Sequence, residues 1–112
     1  MKILDKIIGI DELKKVAADK FGDLVKAVVD VDRELIAIDA ELHSDLEALL
    51  LENGSGQNVL WGINLYPGLK GNDFVEFDSM INIRPSQDNM SRGVGNQTIR
   101  QKIIETVNKW VE

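Results

Sequence analysis

Alternating hydrophobic and polar positions over residues 60–85 give the clearest structural signal in the chain. Two such runs, LWGINLY and FVEFDSMINIR, lie on either side of a break that contains Pro-Gly and Gly-Asn-Asp. Successive side chains of a strand point to opposite faces, so this pattern predicts a β-hairpin with one apolar face and one polar face. With a loop at about residues 67–73, the expected register places Asn64 beside Glu76 and Gly62 beside Asp78.

Two further segments have the apolar spacing of amphipathic helices. The first is residues 12–21. Asp11 is the predicted N-cap of this helix, and Gly22 is the predicted C-terminal stop. Residues 99–111 carry an apolar stripe behind a capping-box pattern that begins at Thr98. We therefore expect a helix at each of these places.

The segment 39–53 fits two structures, a strand or a helix over about 45–53. Residues 39–48 alternate between polar and apolar as in a half-buried strand, but Ser44 and Glu47 have the spacing of a capping box. Asn53-Gly54 is a typical helix stop. These end signals favour a helix.

β-branched residues predict strands at 24–31 and 35–38, joined by a turn at Asp32-Arg33. Residues 2–8 fit either a short strand or an ordered arm. The predicted order is a helix followed twice by strand, strand and helix. This order indicates an α+β fold, a mainly antiparallel sheet of four or more strands with the helices packed on one face. A chain of 112 residues has the size of a single domain.

Composition and charge exclude several classes of function. The chain has no cysteine and no apolar run of membrane-spanning length, so we expect a cytoplasmic protein that does not act in a membrane. The net charge of −6 argues against nucleic acid as a partner. The charge is uneven, because residues 30–52 hold eight acids and one base, whereas residues 84–102 hold four bases and one acid. The basic segment keeps a local anion site open.

The same segments resemble a known family. The combination of LWGINLYP, EFDSMINIRPSQ, the following Asn89, Ser91 and Arg92, and a closing amphipathic helix resembles a small prokaryotic family of uncharacterised proteins. Its members carry a domain-of-unknown-function label. The stretches DVDRELIAI and HSDLEALLLENGS look like the same family, so the resemblance spans nearly the whole chain. It implies an independent domain and contributes no catalytic residues.

The polar face of the central hairpin is the first candidate site. A carboxylate pair beside an arginine and a tyrosine suits acid–base chemistry, because two neighbouring carboxyl groups do not ionise equally easily. The alternative is a solvated sheet face with ordinary ion pairs. The residues concerned are Asn64, Tyr66, Glu76, Asp78, Asn82 and Arg84.

The basic segment is the second candidate site. It brings hydrogen-bond donors together ahead of a helix N-terminus, and arginine forks suit carboxylate or phosphate groups. Two alternatives stay open: these side chains satisfy the loop's own backbone and cap the last helix, or they contact a partner. The residues concerned are Arg84, Gln87, Asn89, Ser91, Arg92 and Arg100.

His43 is the only histidine, and acidic residues surround it in the sequence at positions 39, 41 and 45. A zinc site needs three or four convergent ligands, usually histidine or cysteine, so we expect no metal and no other cofactor. His43 is expected to pack against the protein or to face solvent.

The sequence leaves three functional hypotheses. The preferred one is a small non-enzymatic module that binds a small anionic ligand or a protein partner. The second is a small acid–base enzyme that uses Glu76 or Asp78 together with Arg84 and Tyr66. The third is a homo-oligomeric structural protein whose interface is the polar surface.

Overall fold

A five-stranded antiparallel sheet forms the centre of the protein, for which a computed structural model describes residues 1–112. Its strands are β1 (Lys2–Ile3), β2 (Val25–Asp30), β3 (Leu35–Ile38), β4 (Leu60–Leu65) and β5 (Val75–Glu76). They lie in the order β1-β3-β2-β4-β5, so both predicted hairpins are present as adjacent pairs. The α+β class and the predicted order of elements are confirmed, and residues 2–3 add a short edge strand.

Three helices accompany the sheet, α1 (Ile10–Lys20), α2 (His43–Glu52) and α3 (Gln97–Trp110). All three were predicted, including α2, for which the alternation pattern had left a strand as the alternative. None of the three is both long enough and apolar enough to cross a lipid bilayer.

The helix N-caps differ from the predicted ones in every case. The caps are Gly9, Leu42 and Asn96, about two residues before the expected Asp11, Ser44 and Thr98. Only Asn96 caps with its side chain, whose Oδ1 accepts a hydrogen bond from the backbone N–H of Ile99 at 3.0 Å. The predicted capping residues instead lie inside the first turns of their helices.

The sheet is covered on both faces, which differs from the expectation that all helices share one face. α1 and α3 pack on one face and form the larger core with residues such as Ala27, Val29 and Trp61. α2 packs on the other face and forms a smaller core of Val28, Ala37, Ala40, Leu46, Leu50 and Leu60. The reason is that β3 is apolar at all four positions and β2 carries Val28 on the side opposite to Ala27 and Val29, so both sides of these strands must be buried.

The second strand of the central hairpin is much shorter than predicted. β5 pairs with β4 through Asn64–Glu76 and Leu65–Val75, which confirms the expected Asn64–Glu76 register. Asp78 does not pair with Gly62. The side-chain amide of Asn82 takes that place, because its Oδ1 accepts from the Gly62 N–H at 2.8 Å and its Nδ2 donates to the Gly62 carbonyl at 2.9 Å. The chain beyond β5 therefore folds over the sheet in short turns.

Candidate functional site

Four of the six polar hairpin residues lie together on the face of the sheet that carries α2. Glu76 Oε1 accepts hydrogen bonds from Asn64 Nδ2 at 2.8 Å and from the Tyr66 hydroxyl at 3.1 Å. The backbone oxygen of Asp78 lies 3.4 Å from Asn64 Nδ2, and the Asp78 carboxylate pairs with Arg92 Nε at 2.7 Å. We call Asn64, Tyr66, Glu76 and Asp78 the Glu76 cluster.

Tyr66 is held in its protonated form within this cluster. Burial is the largest contribution that raises the pKa of its phenol above the ordinary value of 10.0. The hydrogen bond to Glu76 and the negative charge of that carboxylate raise the pKa further. The phenol is therefore a donor to Glu76 at neutral pH.

His43 begins α2 and lies against the same face of the sheet. Its side chain is only 7% exposed, and its Nε2 lies 2.7 Å from the carbonyl oxygen of Ile63. That carbonyl can only accept, so we assign the ring proton to Nε2. Burial lowers the pKa of the imidazole below 6.5; the Ile63 hydrogen bond opposes this, and the charge of Lys26 adds to it. Nowhere do three acidic or histidine side chains come close enough together to hold a metal ion.

Arg84 lies apart from the Glu76 cluster and cross-links the backbone. Its Nε donates to the Ile81 carbonyl at 3.0 Å and its Nη1 to the Gln57 carbonyl at 2.9 Å, while its Nη2 contacts the Leu60 carbonyl. Its Cζ lies 4.3 Å from the centre of the Trp61 ring. All three nitrogens of this guanidinium therefore have protein partners.

The polar side chains after Arg84 satisfy the backbone of their own loop and its surroundings. Asn89 is buried; its Nδ2 donates to the Asn82 carbonyl at 2.7 Å and its Oδ1 accepts from the Gly95 N–H at 3.0 Å. Gln87 donates to the Asn58 carbonyl, and Ser91 accepts from the Gly93 N–H. This bonding pattern is the first of the two alternatives that the sequence left open for the basic segment.

The three arginines of the basic segment have different partners. Arg84 binds the start of β4, Arg92 binds Asp78, and Arg100 donates from Nε to the Val94 carbonyl at 2.7 Å. They do not share a common acceptor within the protein, and of the three only Arg100 lines a groove.

An open groove of about 990 Å³ lies between α3 and residues 69–77. Its volume is in the range of small-molecule sites, roughly 300–1,000 Å³. We call it the α3 groove. Apolar side chains and polar ones contribute about equally; the apolar ones are Ile10, Leu69, Phe74, Val75, Phe77, Ile104 and Val111.

Arg100 is the one residue of the predicted anion site that lines this groove. Its Cζ lies 4.4 Å from the centre of the Phe77 ring, so the stack and the bond to Val94 together fix the guanidinium plane. Neither Nη1 nor Nη2 makes a hydrogen bond within the protein. The groove thus contains the guanidinium fork of Arg100, held in a fixed orientation, with the N–H donors of Nη1 and Nη2 free to bind a ligand.

The sequence contained a partial signal for the α3 groove. The apolar stripe predicted for residues 99–111 serves both the core and the groove: Ile103 and Val107 are buried, whereas Ile104 and Val111 pack against the core and also line the groove. Phe74 and Phe77 are only partly covered. The pattern identifies these positions as apolar but does not say that they face each other across a gap.

The fold and the groove define a small α+β domain with an antiparallel sheet between helices and an open, partly apolar surface site. The chain belongs to the DUF5674 family of proteins of unknown function, which matches residues 2–110. This confirms the resemblance to a family with a domain-of-unknown-function label. No curated protein and no solved structure matches the chain.

Proposed function

We propose that this protein is a non-enzymatic ligand-binding domain, and that its ligand is a small organic anion with an apolar body. The observation that carries the proposal is the free guanidinium fork of Arg100 above the apolar floor of the α3 groove. The cytoplasmic location and the lack of nucleic-acid partners expected from the sequence stay part of this proposal.

The groove chemistry favours a carboxylate with an alkyl or aryl chain. An arginine fork binds a carboxylate through two parallel hydrogen bonds, each worth on the order of 1.5–3 kcal/mol. The apolar walls favour a hydrocarbon chain over a bare inorganic anion. Because the groove is open to solvent and association has its own free-energy cost, the expected Kd for a six-carbon acid is on the order of a millimolar.

The acid–base alternative has less support from the same contacts. It needs Arg84 beside Glu76 and Tyr66, but the nitrogens of Arg84 donate to the carbonyls of Ile81, Gln57 and Leu60. No contact described above favours the homo-oligomer alternative over ligand binding.

A titration with hexanoate, followed by amide chemical shifts, tests the proposal. Hexanoate is expected to shift resonances of residues 69–77 and of the first turns of α3. Hexanol, which has a similar chain without the charge, is expected to bind about tenfold more weakly, because it loses the charge-assisted bonds.

Two arginine variants provide the matched comparison. Arg100→Gln should weaken hexanoate binding about tenfold, because it replaces the charged fork with a shorter, neutral amide. Arg92→Gln removes the same charge outside the groove and should leave hexanoate binding unchanged. Arg100→Lys keeps the charge without the fork, so it shows whether a loss in Arg100→Gln comes from the fork or from the charge. Equal binding of hexanoate and hexanol, or shifts outside the groove, would contradict the proposal.

A further inference from the structure

Asn64 at the centre of the Glu76 cluster has a buried oxygen without a partner. The residue is 6% exposed, and its Oδ1 accepts no hydrogen bond from the protein. Buried side-chain oxygens in folded proteins nearly always have a donor. The missing donor therefore calls for an explanation.

The orientation of the Asn64 amide is fixed by its two neighbours. Its Nδ2 lies 2.8 Å from Glu76 Oε1 and 3.4 Å from the Asp78 backbone oxygen, and both of these atoms are acceptors. Turning the amide over would point Oδ1 at two acceptors. The unpartnered atom is thus an acceptor, and its missing partner is a donor.

The charge around Asn64 is also unbalanced. Glu76 receives hydrogen bonds only from the neutral groups of Asn64 and Tyr66, and it forms no salt bridge, whereas Asp78 is paired with Arg92. A depression of about 310 Å³ adjoins Glu76 and Tyr66, and a second carboxylate, that of Asp73, lines it. Lys26 lies opposite Asn64 in β2, but its Nζ lies 5.5 Å from the centre of the Phe21 ring and forms no salt bridge with Glu76. The depression beside Glu76 therefore holds two carboxylates, those of Glu76 and Asp73, that form no salt bridge.

We propose that the Glu76 cluster binds the primary ammonium group of a small alkylamine. An ammonium has three N–H donors. The cluster offers it the Glu76 carboxylate, the unpartnered Oδ1 of Asn64 and, when Arg92 turns aside, the Asp78 carboxylate. Oδ1 of Asn64 is closed to solvent, so an ammonium reaches it only when the exposed side chains of Glu76 and Arg92 leave their contacts with Asn64 and Asp78. The Tyr66 ring beside Glu76 adds a favourable face for a cation.

This site is separate from the Arg100 fork of the α3 groove. Phe77, on which Arg100 stacks, packs against the larger core, whereas Glu76 bonds to Asn64 on the face that carries α2. The depression shares Leu69, Asn72 and Val75 with the α3 groove, but Arg100 lines only the groove and Glu76 only the depression. Amine binding at the Glu76 cluster does not depend on organic-anion binding at Arg100.

A titration with n-butylammonium chloride, followed by amide and side-chain amide resonances, tests this proposal. The expected result is a saturable shift of the Asn64 side-chain amide and of the β4–β5 backbone. Butyltrimethylammonium has the same charge and chain but no N–H donor, so it should bind at least about tenfold more weakly. Potassium chloride at matched ionic strength is expected to cause no such shift.

Two carboxylate variants complete the test. Glu76→Gln keeps the side-chain shape and should weaken butylammonium binding about tenfold. Asp88→Asn removes the same charge at an exposed loop position and should leave binding unchanged.

Three results would overturn the proposal. Equal binding of the primary and quaternary amines would reduce it to general charge attraction. Unchanged binding in Glu76→Gln would place the amine elsewhere. The lack of any saturable shift would leave a buried water as the partner of Asn64.

Discussion

At the scale of single residues, three asparagine side chains satisfy backbone groups that regular structure leaves unpaired. Asn82 replaces a neighbouring strand at Gly62, Asn89 holds the loop before α3 together, and Asn96 caps that helix. An asparagine amide carries both donors and an acceptor, so it can imitate a peptide group. The segment between β5 and α3 owes its shape to these contacts.

His43 leads to a prediction about pH and stability. Its pKa is lowered in the folded protein, so between that pKa and 6.5 the unfolded chain binds a proton that the folded protein does not. The free energy of unfolding should therefore be fully maintained above 6.5 and should decrease as the pH falls below it. Urea unfolding at about pH 7.5 and about pH 5.5 measures this decrease.

The variant His43→Gln separates this effect from other titrations. Glutamine offers an N–H donor for the Ile63 carbonyl but does not titrate, and His43 is the only histidine in the chain. The variant should lose most of the difference in unfolding free energy between the two pH values. An unchanged difference would show that another group is responsible.

The candidate side chains could be predicted from the sequence only where their position depended on strand register. Alternation placed Asn64 opposite Glu76 correctly, because a two-residue period leaves little freedom once the hairpin is recognised. The roles of Asn82, Asn89 and Arg84 could not be predicted. Alternation marks a side chain as polar but does not distinguish one that faces water from one that bonds to buried backbone.

At the scale of elements, the helices could be predicted but their first residues could not. Each of α1, α2 and α3 carries apolar residues at the spacing that places them against a core, and this spacing can be recognised from the sequence alone. The cap position depends instead on the direction from which the chain enters the helix. Ser44 and Glu47 have the capping-box spacing, yet the chain already becomes helical after Leu42.

The segment after β5 lies directly against Gly62 of β4, and this close approach leads to a second prediction. A Cβ atom at Gly62 would lie 2.6 Å from both Cβ and Oγ of Ser79 and 3.1 Å from Cγ1 of Ile81. Gly62→Ala should therefore push the segment after β5 away from the sheet and lower the free energy of unfolding by about 1–3 kcal/mol. Denaturant unfolding measures the loss.

Gly68→Ala is the matched control for this variant. A Cβ atom at Gly68 meets nothing within 4 Å, so its effect should stay within about 0.5 kcal/mol. Gly62→Ala should also shift the side-chain amide resonances of Asn82, because that amide bonds to Gly62. Equal stability of the two variants would mean that Ser79 moves away without cost.

At the scale of the whole molecule, the sheet joins two cores of unequal size. β2 contributes Val28 to the smaller core and Ala27 and Val29 to the larger one. The β-branched residues of 24–31 predicted the strand, but no local pattern says which helix covers which face. The α3 groove escaped prediction for the same reason, since it exists only where α3 and residues 69–77 approach each other.

Because the central strands belong to both cores, we predict that the two cores unfold together. Leu50 of α2 is fully buried in the smaller core, whereas Trp61 of β4 is buried in the larger one. Leu50→Ala should lower the free energy of unfolding by about 2–5 kcal/mol through the cavity it leaves. In a Trp110→Phe background, fluorescence reports on Trp61 alone, because the chain has two tryptophans.

The midpoint seen by Trp61 fluorescence should shift in Leu50→Ala by the same amount as the midpoint seen by far-UV ellipticity, although the two side chains lie on opposite faces of the sheet. Leu51→Ala makes the same chemical change at a neighbouring position of α2 that is 41% exposed, and it should cost within about 0.5 kcal/mol. If ellipticity shifted while Trp61 fluorescence did not, α2 would unfold as a separate unit. The sheet would then hold its larger core without the helix on its other face.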